Sequence, residues 1–189
     1  MKYLGSKTLE TERLTLRKIK IEDAKTAFKN WCNSDEVDKY VLWKKHESVE
    51  ETIRIYEKWL EDYKDDKTFR WGVELKNNHD LIGTIDISKR FITYGTCEIG
   101  YCYSDKYWSN GYATEALKAV IKFLFEECDA EIIIGEYMEN NPASGKVMEK
   151  SGMRYEGVLR SRVVDKNNIR NNLINYSITK DEYFKQKDN

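Results

Sequence analysis

The sequence has one proline in 189 residues, two histidines and almost no net charge, with 32 Lys and Arg facing 33 Asp and Glu for a formal charge of −1. That balance excludes broad electrostatic attachment to nucleic acid or to an anionic membrane as the main activity. A local basic pocket for a phosphorylated small molecule is still allowed. No stretch approaches the roughly 18 consecutive apolar residues that a transmembrane helix needs. The opening MKYLGSKTLETERLTLRK lacks the apolar segment and small-residue cleavage site of a signal peptide, so a cytoplasmic location is expected. The four cysteines, Cys32, Cys97, Cys102 and Cys128, form neither a C-x-x-C pair nor a zinc spacing. Reduced thiols and no metal site are the expectation. Two phosphate loops are also missing, the Walker pattern GxxxxGK[ST] and the dinucleotide pattern GxGxxG, which argues against ATP or NAD as the primary ligand.

The chain is 40% hydrophobic, 13% aromatic and 34% charged, which is the make-up of a folded, soluble domain. A domain of this size can bury roughly 70% of its unfolded surface, so neither disulfides nor metals are needed to hold it. With no linker, repeat or low-complexity tract, residues 1–189 read as a single domain. Alternation in TERLTLRKI gives an opening strand, and Ala24, Ala27, Phe28 and Trp31 fall at helical spacing. Ser48 and Glu51 form a capping box that opens a helix running to about residue 64. FRWGVEL and LIGTIDI, joined by KNNHD, read as a hairpin, followed by the strand TCEIGYCY and a helix over about residues 113–127. EIIIGEYM has the continuous apolar character of a buried strand. A short helix over about residues 143–150 and two strands over about 155–164 and 169–178 complete the chain. The order β-α-α-β-β-β-α-β-α-β-β predicts a mixed α/β (α+β) fold.

The most informative segment is YCYSDKYWSNGYATEALKAVIKF, residues 101–123. A strand runs into a loop and then, through Gly111, directly into a helix. A tight glycine turn followed by free helical N–H groups at the positive end of the helix dipole suits a phosphate or pyrophosphate. An ordinary glycine turn before a helix fits the same spacing.

Here the sequence resembles the GNAT acyl-CoA-dependent N-acetyltransferases, and more narrowly the branch that acetylates ribosomal-protein N-termini. That branch commonly carries W-G-K-G-Y-A-T-E-A where this chain reads WSNGYATEA from Trp108 to Ala116. The resemblance also covers ETERLTLR (Glu10 to Arg17), LIGTIDI, CEIGY and NPASGKVMEKSGMRYEG (Asn141 to Gly157), in the family's order. Two departures stand out. Trp108 replaces the Arg or Gln that opens the family's R/Q-x-x-G-x-G/A, and Asn110 replaces a Lys or Arg, which removes one charge contact to a CoA phosphate.

The resemblance implies a mixed, mostly antiparallel sheet of about seven strands, with a splayed parallel pair and helices on both faces. It implies acetyl-CoA as cosubstrate, held in the wedge between TCEIGYCY and EIIIGEYM. Main-chain groups along Tyr101, Cys102 and Tyr103 would bind the pantetheine arm, and an N–H near Tyr101 would face the thioester carbonyl. The pyrophosphate would rest on Trp108, Ser109, Asn110, Gly111, Tyr112 and Ala113, with Thr114 nearby. Asn141 would hydrogen-bond the pantetheine, Lys146 would contact the cofactor, and Ser144 would reach the sulfur and act as the acid. Helix capping is a competing role for Asn141 and Ser144. Glu98, placed by alternation on the face opposite Ile99, is the candidate base; a structural or substrate-orienting carboxylate is the alternative. His46 and His79 read as surface residues, and Trp31, Tyr40, Trp43, Trp71 and Asp86 as core or rim before substrate contacts. The acceptor would be a protein α-amino group or a small amine. The carboxylates of residues 36–66 slightly favour a cationic one. A non-catalytic acyl-CoA-binding module is the alternative function, and the tail at Tyr183 and Phe184 leaves room for a homodimer.

Overall fold

In the computed structural model, residues 1–188 are described, with the backbone alone for residues 89–93. The chain runs β1 (Leu9–Glu10), β2 (Leu14–Arg17), α1 (Asp23–Ala27), α2 (Asp35–Asp38), α3 (Val49–Asp62), β3 (Arg70–Leu75), β4 (Leu81–Thr93) and β5 (Thr96–Tyr103). It continues through α4 (Tyr112–Glu126), β6 (Ile132–Met138), α5 (Pro142–Lys150), β7 (Arg154–Val164), β8 (Arg170–Thr179) and α6 (Lys180–Lys187). The sheet has eight strands rather than about seven, in the order β1-β2-β3-β4-β5-β6-β8-β7; the extra strand is the two-residue β1. Every pairing is antiparallel except β5 with β6.

Each face of the sheet has its own core. Trp71, Val73, Ile85, Ile87, Cys97 and Ile99 point to α4, whose Ala116, Leu117, Val120, Ile121 and Leu124 are buried against them. On the other face Ala24, Ala27, Trp31 and Tyr56 from α1 to α3 close over Ile19 and Leu81. At about 25 cal/mol per Å² of apolar surface, each such large side chain stabilises the fold by about 1.5–3 kcal/mol, so the two cores dominate the energetics.

Three local expectations change. The helix begun at Asp23 widens into a π-turn over Phe28–Cys32 instead of continuing regularly, which buries both Trp31 and Cys32. The tail is helical: Thr179 and Glu182 form a reciprocal capping box, and Tyr183 packs on Phe125 at 5.1 Å while its hydroxyl donates to Glu126 at 2.6 Å. At the start of α3, Ser48 accepts from the Glu51 N–H at 3.3 Å, but the Glu51 carboxylate reaches Glu47 N–H rather than that of Ser48. Among the described residues no helix is long and apolar enough to cross a membrane.

Candidate functional site

The site begins where β5 and β6 part. Their parallel pairing runs from Thr96–Ile132 to Ile99–Gly135 and stops there, although β5 continues to Tyr103 and β6 to Met138. Ser104 donates its N–H to Ile82 on β4 at 2.9 Å. Alternation therefore turns the main-chain groups of Gly100 and Cys102 toward β4 and those of Tyr101 and Tyr103 toward the gap. The Tyr103 carbonyl is already taken by Trp108 Nε1 at 3.0 Å. What remains for a ligand is the N–H and C=O of Tyr101 and the N–H of Tyr103. Cys102 also lines the cleft, with its main-chain groups turned toward β4.

The second component is the start of α4. Ser109 (φ 63°) and Gly111 (φ 79°) both adopt left-handed backbone, and no side chain caps the helix. The first helical bond is Glu115 N–H to Gly111 C=O, 3.0 Å. The N–H groups of Tyr112, Ala113 and Thr114 precede it and have no intrahelical acceptor. The Asn110 side chain turns away from the cleft. Its amide folds back to the carbonyls of Tyr107 (3.3 Å) and Trp108 (2.9 Å), and its own carbonyl accepts from Arg13 at 3.1 Å. Arg13 also stacks on Tyr112 at 4.5 Å and pairs with Glu115 at 2.6 Å. Burial alone would raise the Glu115 carboxyl, but Thr11 and Arg13 hold it below its ordinary value. No signal in the sequence announces this brace, because Arg13 and Glu115 lie on elements far apart in the chain.

The third component is α5. Asn141 precedes it and makes no side-chain capping bond, and its backbone C=O accepts from Ser144 N–H at 3.1 Å. Ser144 in turn offers its carbonyl to the Tyr101 hydroxyl at 3.0 Å, which ties α5 to β5. Gly145 sits beneath the Tyr137 ring of β6, where any side chain would collide. The three components enclose a cleft of about 550 Å³, lined by Tyr101, Cys102, Tyr103, Trp108, Ser109, Gly111, Tyr112, Ala113, Thr114, Asn141, Ser144 and Lys146. Lys150 joins Lys146 on the α5 side. Val37, Tyr40 and Val41 form the far wall, and Tyr40 meets Trp108 edge-on at 5.8 Å.

On the other face of β5, Glu98 lies opposite Ser88 and Ile134, half-buried, while Ile99 is in the α4 core as alternation requires. Asp86 lies opposite Gly100, one pair further toward the divergence. Its Oδ2 accepts from Arg70 Nε at 3.3 Å; Arg70 also reaches Asp62 at 3.2 Å and stacks on Trp59 at 4.4 Å. Burial pushes the Asp86 carboxyl above its ordinary value, with Arg70 opposing the shift. His46 is buried, with Nδ1 2.7 Å from the Thr52 hydroxyl, so it is a packed residue and not a surface one. His79 is exposed beside Glu74, as expected. Trp31 and Trp71 are core; Trp43 is on the rim at 36% exposure. Several of the N-terminal carboxylates are neutralised locally, as in Glu36–Lys39, Asp35–Lys45 and Asp38–Lys166. The cysteines are free thiols, and burial pushes Cys32 and Cys97 up to about 12 and Cys128 to about 11, which makes them poor nucleophiles.

Known proteins are similar over most of the chain. Residues 13–154 match the acetyltransferase (GNAT) domain family. The uncharacterized N-acetyltransferase YoaA of Bacillus subtilis is 34% identical over 152 residues, covering 80% of this chain and 85% of that protein. The crystal structure of a GNAT-family acetyltransferase from Bacillus anthracis superimposes with a TM-score of 0.81 at 28% identity, covering 93% of this chain and 99% of that one. The [ribosomal protein uS5]-alanine N-acetyltransferase of Escherichia coli is 26% identical over 98 residues, about half of each chain (51% and 50%).

Proposed function

The chain belongs to the acetyltransferase (GNAT) family and is an N-acetyltransferase, and on that premise we propose that it moves the acetyl group of acetyl-CoA directly to a primary amine. The observation that carries this reading is the loss of strand pairing beyond Ile99 and Gly135, facing the same cleft as the uncapped start of α4. A pantetheine arm is a chain of amides, and the N–H and C=O of Tyr101 with the N–H of Tyr103 match its pattern of donors and acceptors. A pyrophosphate needs several donors at a positive potential, which Tyr112, Ala113 and Thr114 offer together. Asn141, whose side chain the helix does not use as a cap, adds a further polar group, and Lys146 and Lys150 add charge. The cosubstrate supplies an activated thioester.

In this reading the Tyr101 N–H donates to the carbonyl oxygen as negative charge develops there. Ser144 donates a proton to the departing sulfur, and a carboxylate on the opposite face of the sheet receives the proton of the amine. Glu98 is one such carboxylate. The acceptor is a protein α-amino group or a small amine.

Thermal melts with acetyl-CoA, CoA, ATP and NAD at about 1 mM test the reading. A Kd near 10 μM would stabilise the domain by about 2.7 kcal/mol, a rise of roughly 5–11 °C at this size. The expected result is a rise with both CoA species and none with ATP or NAD. Thiol release is then followed with a panel of amines: peptides with free N-termini, spermidine and n-butylamine. No rise with acetyl-CoA overturns the assignment of the cleft.

A further inference from the structure

Besides the cleft, the molecule carries a lysine-rich hollow of Lys25, Lys29 and Lys106 beside Asp80, an open β7 edge, and the Asp86 carboxyl. The Asp86 carboxyl is the feature for which geometry and chemistry agree. Resting on the acetyl-transfer reading above, we propose that Asp86, on β4, is the group that receives the acceptor amine and takes its proton, reaching the wedge across the bare backbone of Gly100.

The argument starts from register. Asp86 pairs with Gly100, the first residue of β5 beyond the last β5–β6 pair. It therefore stands one strand away from the point where the gap opens. A Cβ built on Gly100 would come 3.0 Å from Asp86 Oδ1 and, among the described residues, would meet no other atom within 4 Å. Glycine here leaves open space beside the carboxylate, and any side chain would fill it.

The two carboxylate oxygens are also not equivalent. Oδ2 is held by Arg70, which is itself fixed by Asp62 and by stacking on Trp59. Among the described residues Oδ1 has no hydrogen-bond donor, and it is the oxygen turned to Gly100. One oxygen is clamped and the other is presented to the open space. A protein needs such a disposition to hold an ammonium group in a fixed place.

The surroundings suit proton acceptance. Among the described residues, the charged and titratable groups facing Asp86 are Arg70 on β3, Asp62 and Tyr63 on α3, and Cys102 on β5, with Glu98 one position further along the same face of β5. Tyr63 is already committed, donating to Arg70 C=O at 2.9 Å, and burial pushes it up to about 12. Cys102 is likewise pushed upward by burial. Neither competes for the amine proton. Burial pushes the Asp86 carboxyl above its ordinary value, and Arg70 opposes that shift.

The balanced step is short. The ammonium gives one proton to Asp86 Oδ1, the freed nitrogen pair forms the C–N bond at the thioester carbon, and the C–S bond breaks with its electrons leaving on sulfur. A second nitrogen proton is lost to solvent as the amide forms, and Ser144 or water protonates the thiolate.

The test compares wild type, Asp86→Asn and Asp86→Glu with the panel amine that gives the fastest thiol release, and with trifluoroethylamine, which is already neutral at neutral pH. Asp86→Asn is expected to lower kcat about 100-fold with the protonated amine and less than about 10-fold with trifluoroethylamine. It should also remove the acid limb of the kcat–pH profile, and the acetyl-CoA melting shift should stay unchanged. Asp86→Glu should restore part of the rate. A rate within about twofold of wild type with the acid limb intact overturns the proposal. So does equal loss with both amines, or loss of the acetyl-CoA shift, because either marks a structural role. If wild type binds acetyl-CoA but releases thiol with no amine, the transfer reading falls and this inference falls with it.

Discussion

His46 shows how a single side chain is decided by its surroundings. It lies in a polar stretch before α3, yet the chain folds it inward against Trp43 at 5.3 Å and onto the Thr52 hydroxyl. Burial lowers its pKa from the ordinary 6.5, with Glu51 pulling weakly the other way. The folded state therefore favours the neutral ring, and as pH falls below about 6.5 the unfolded chain takes up the proton first. The stability from a neutral His46 is present above that value and is lost as pH drops through the window beneath it. The His46→Gln variant, which can still bond Thr52, should show a flatter decline of melting temperature between pH 7 and 5 than wild type. Equal slopes would mean that other groups carry the acid sensitivity in that range. The sequence could not reveal this burial, because one histidine among polar neighbours has no periodicity of its own. Asp86 was hard to read for a related reason: alternation gives its face, but not the glycine opposite or the arginine beside it.

Among the elements, the start of α4 was the most legible in sequence, because loop, Gly111 and helix are contiguous. The structure adds that Gly111 is in left-handed backbone and that the nearest atom to an added Cβ is Arg13 Nη2 at 3.5 Å, an ordinary contact. Gly111→Ala therefore tests backbone strain rather than collision. It should destabilise the domain by about 1 kcal/mol in a denaturant titration, and reduce the acetyl-CoA melting shift as the N–H groups of residues 112–114 lose their aim. An unchanged shift would remove this turn from the binding site. β5, β6, α4 and α5 end within about a residue of where pattern and punctuation put them. α6 was missed although Thr179 and Glu182 carry the same S/T-x-x-E signal that located α3, because its residues show almost no apolar face. The π-turn after α1 was illegible for the opposite reason: Trp31 and Cys32 fit a regular helix in sequence, and only packing against the sheet demands the extra width.

For the molecule as a whole, the tip of the β7–β8 hairpin is fastened to α2. Lys166 bonds the Asp38 carbonyl and pairs with its carboxylate at 2.5 Å, and the lysine is only 12% exposed. Although burial alone would raise the Asp38 carboxyl, Lys166 and Lys45 hold it below its ordinary value. This strut joins the C-terminal hairpin to the helical side that also forms the far wall of the cleft. Lys166→Ala should speed amide hydrogen exchange at residues 160–170 by about tenfold or more while the global melting temperature changes little, since the opening is local. A large drop in melting temperature with no local change would show the strut to be part of the global core. Contiguous sequence carried most of the strand and helix order and the glycine turn into α4, because hydrophobic period and turn chemistry act over a few residues, whereas the parallel pair followed only from the family resemblance. The join of Arg13 to Glu115, the turning-away of Asn110, the seating of Asp86 across from Gly100 and the strut from Lys166 to Asp38 arose only in three dimensions. Each depends on strands and helices distant in the chain meeting in one register, and local pattern holds no record of that register.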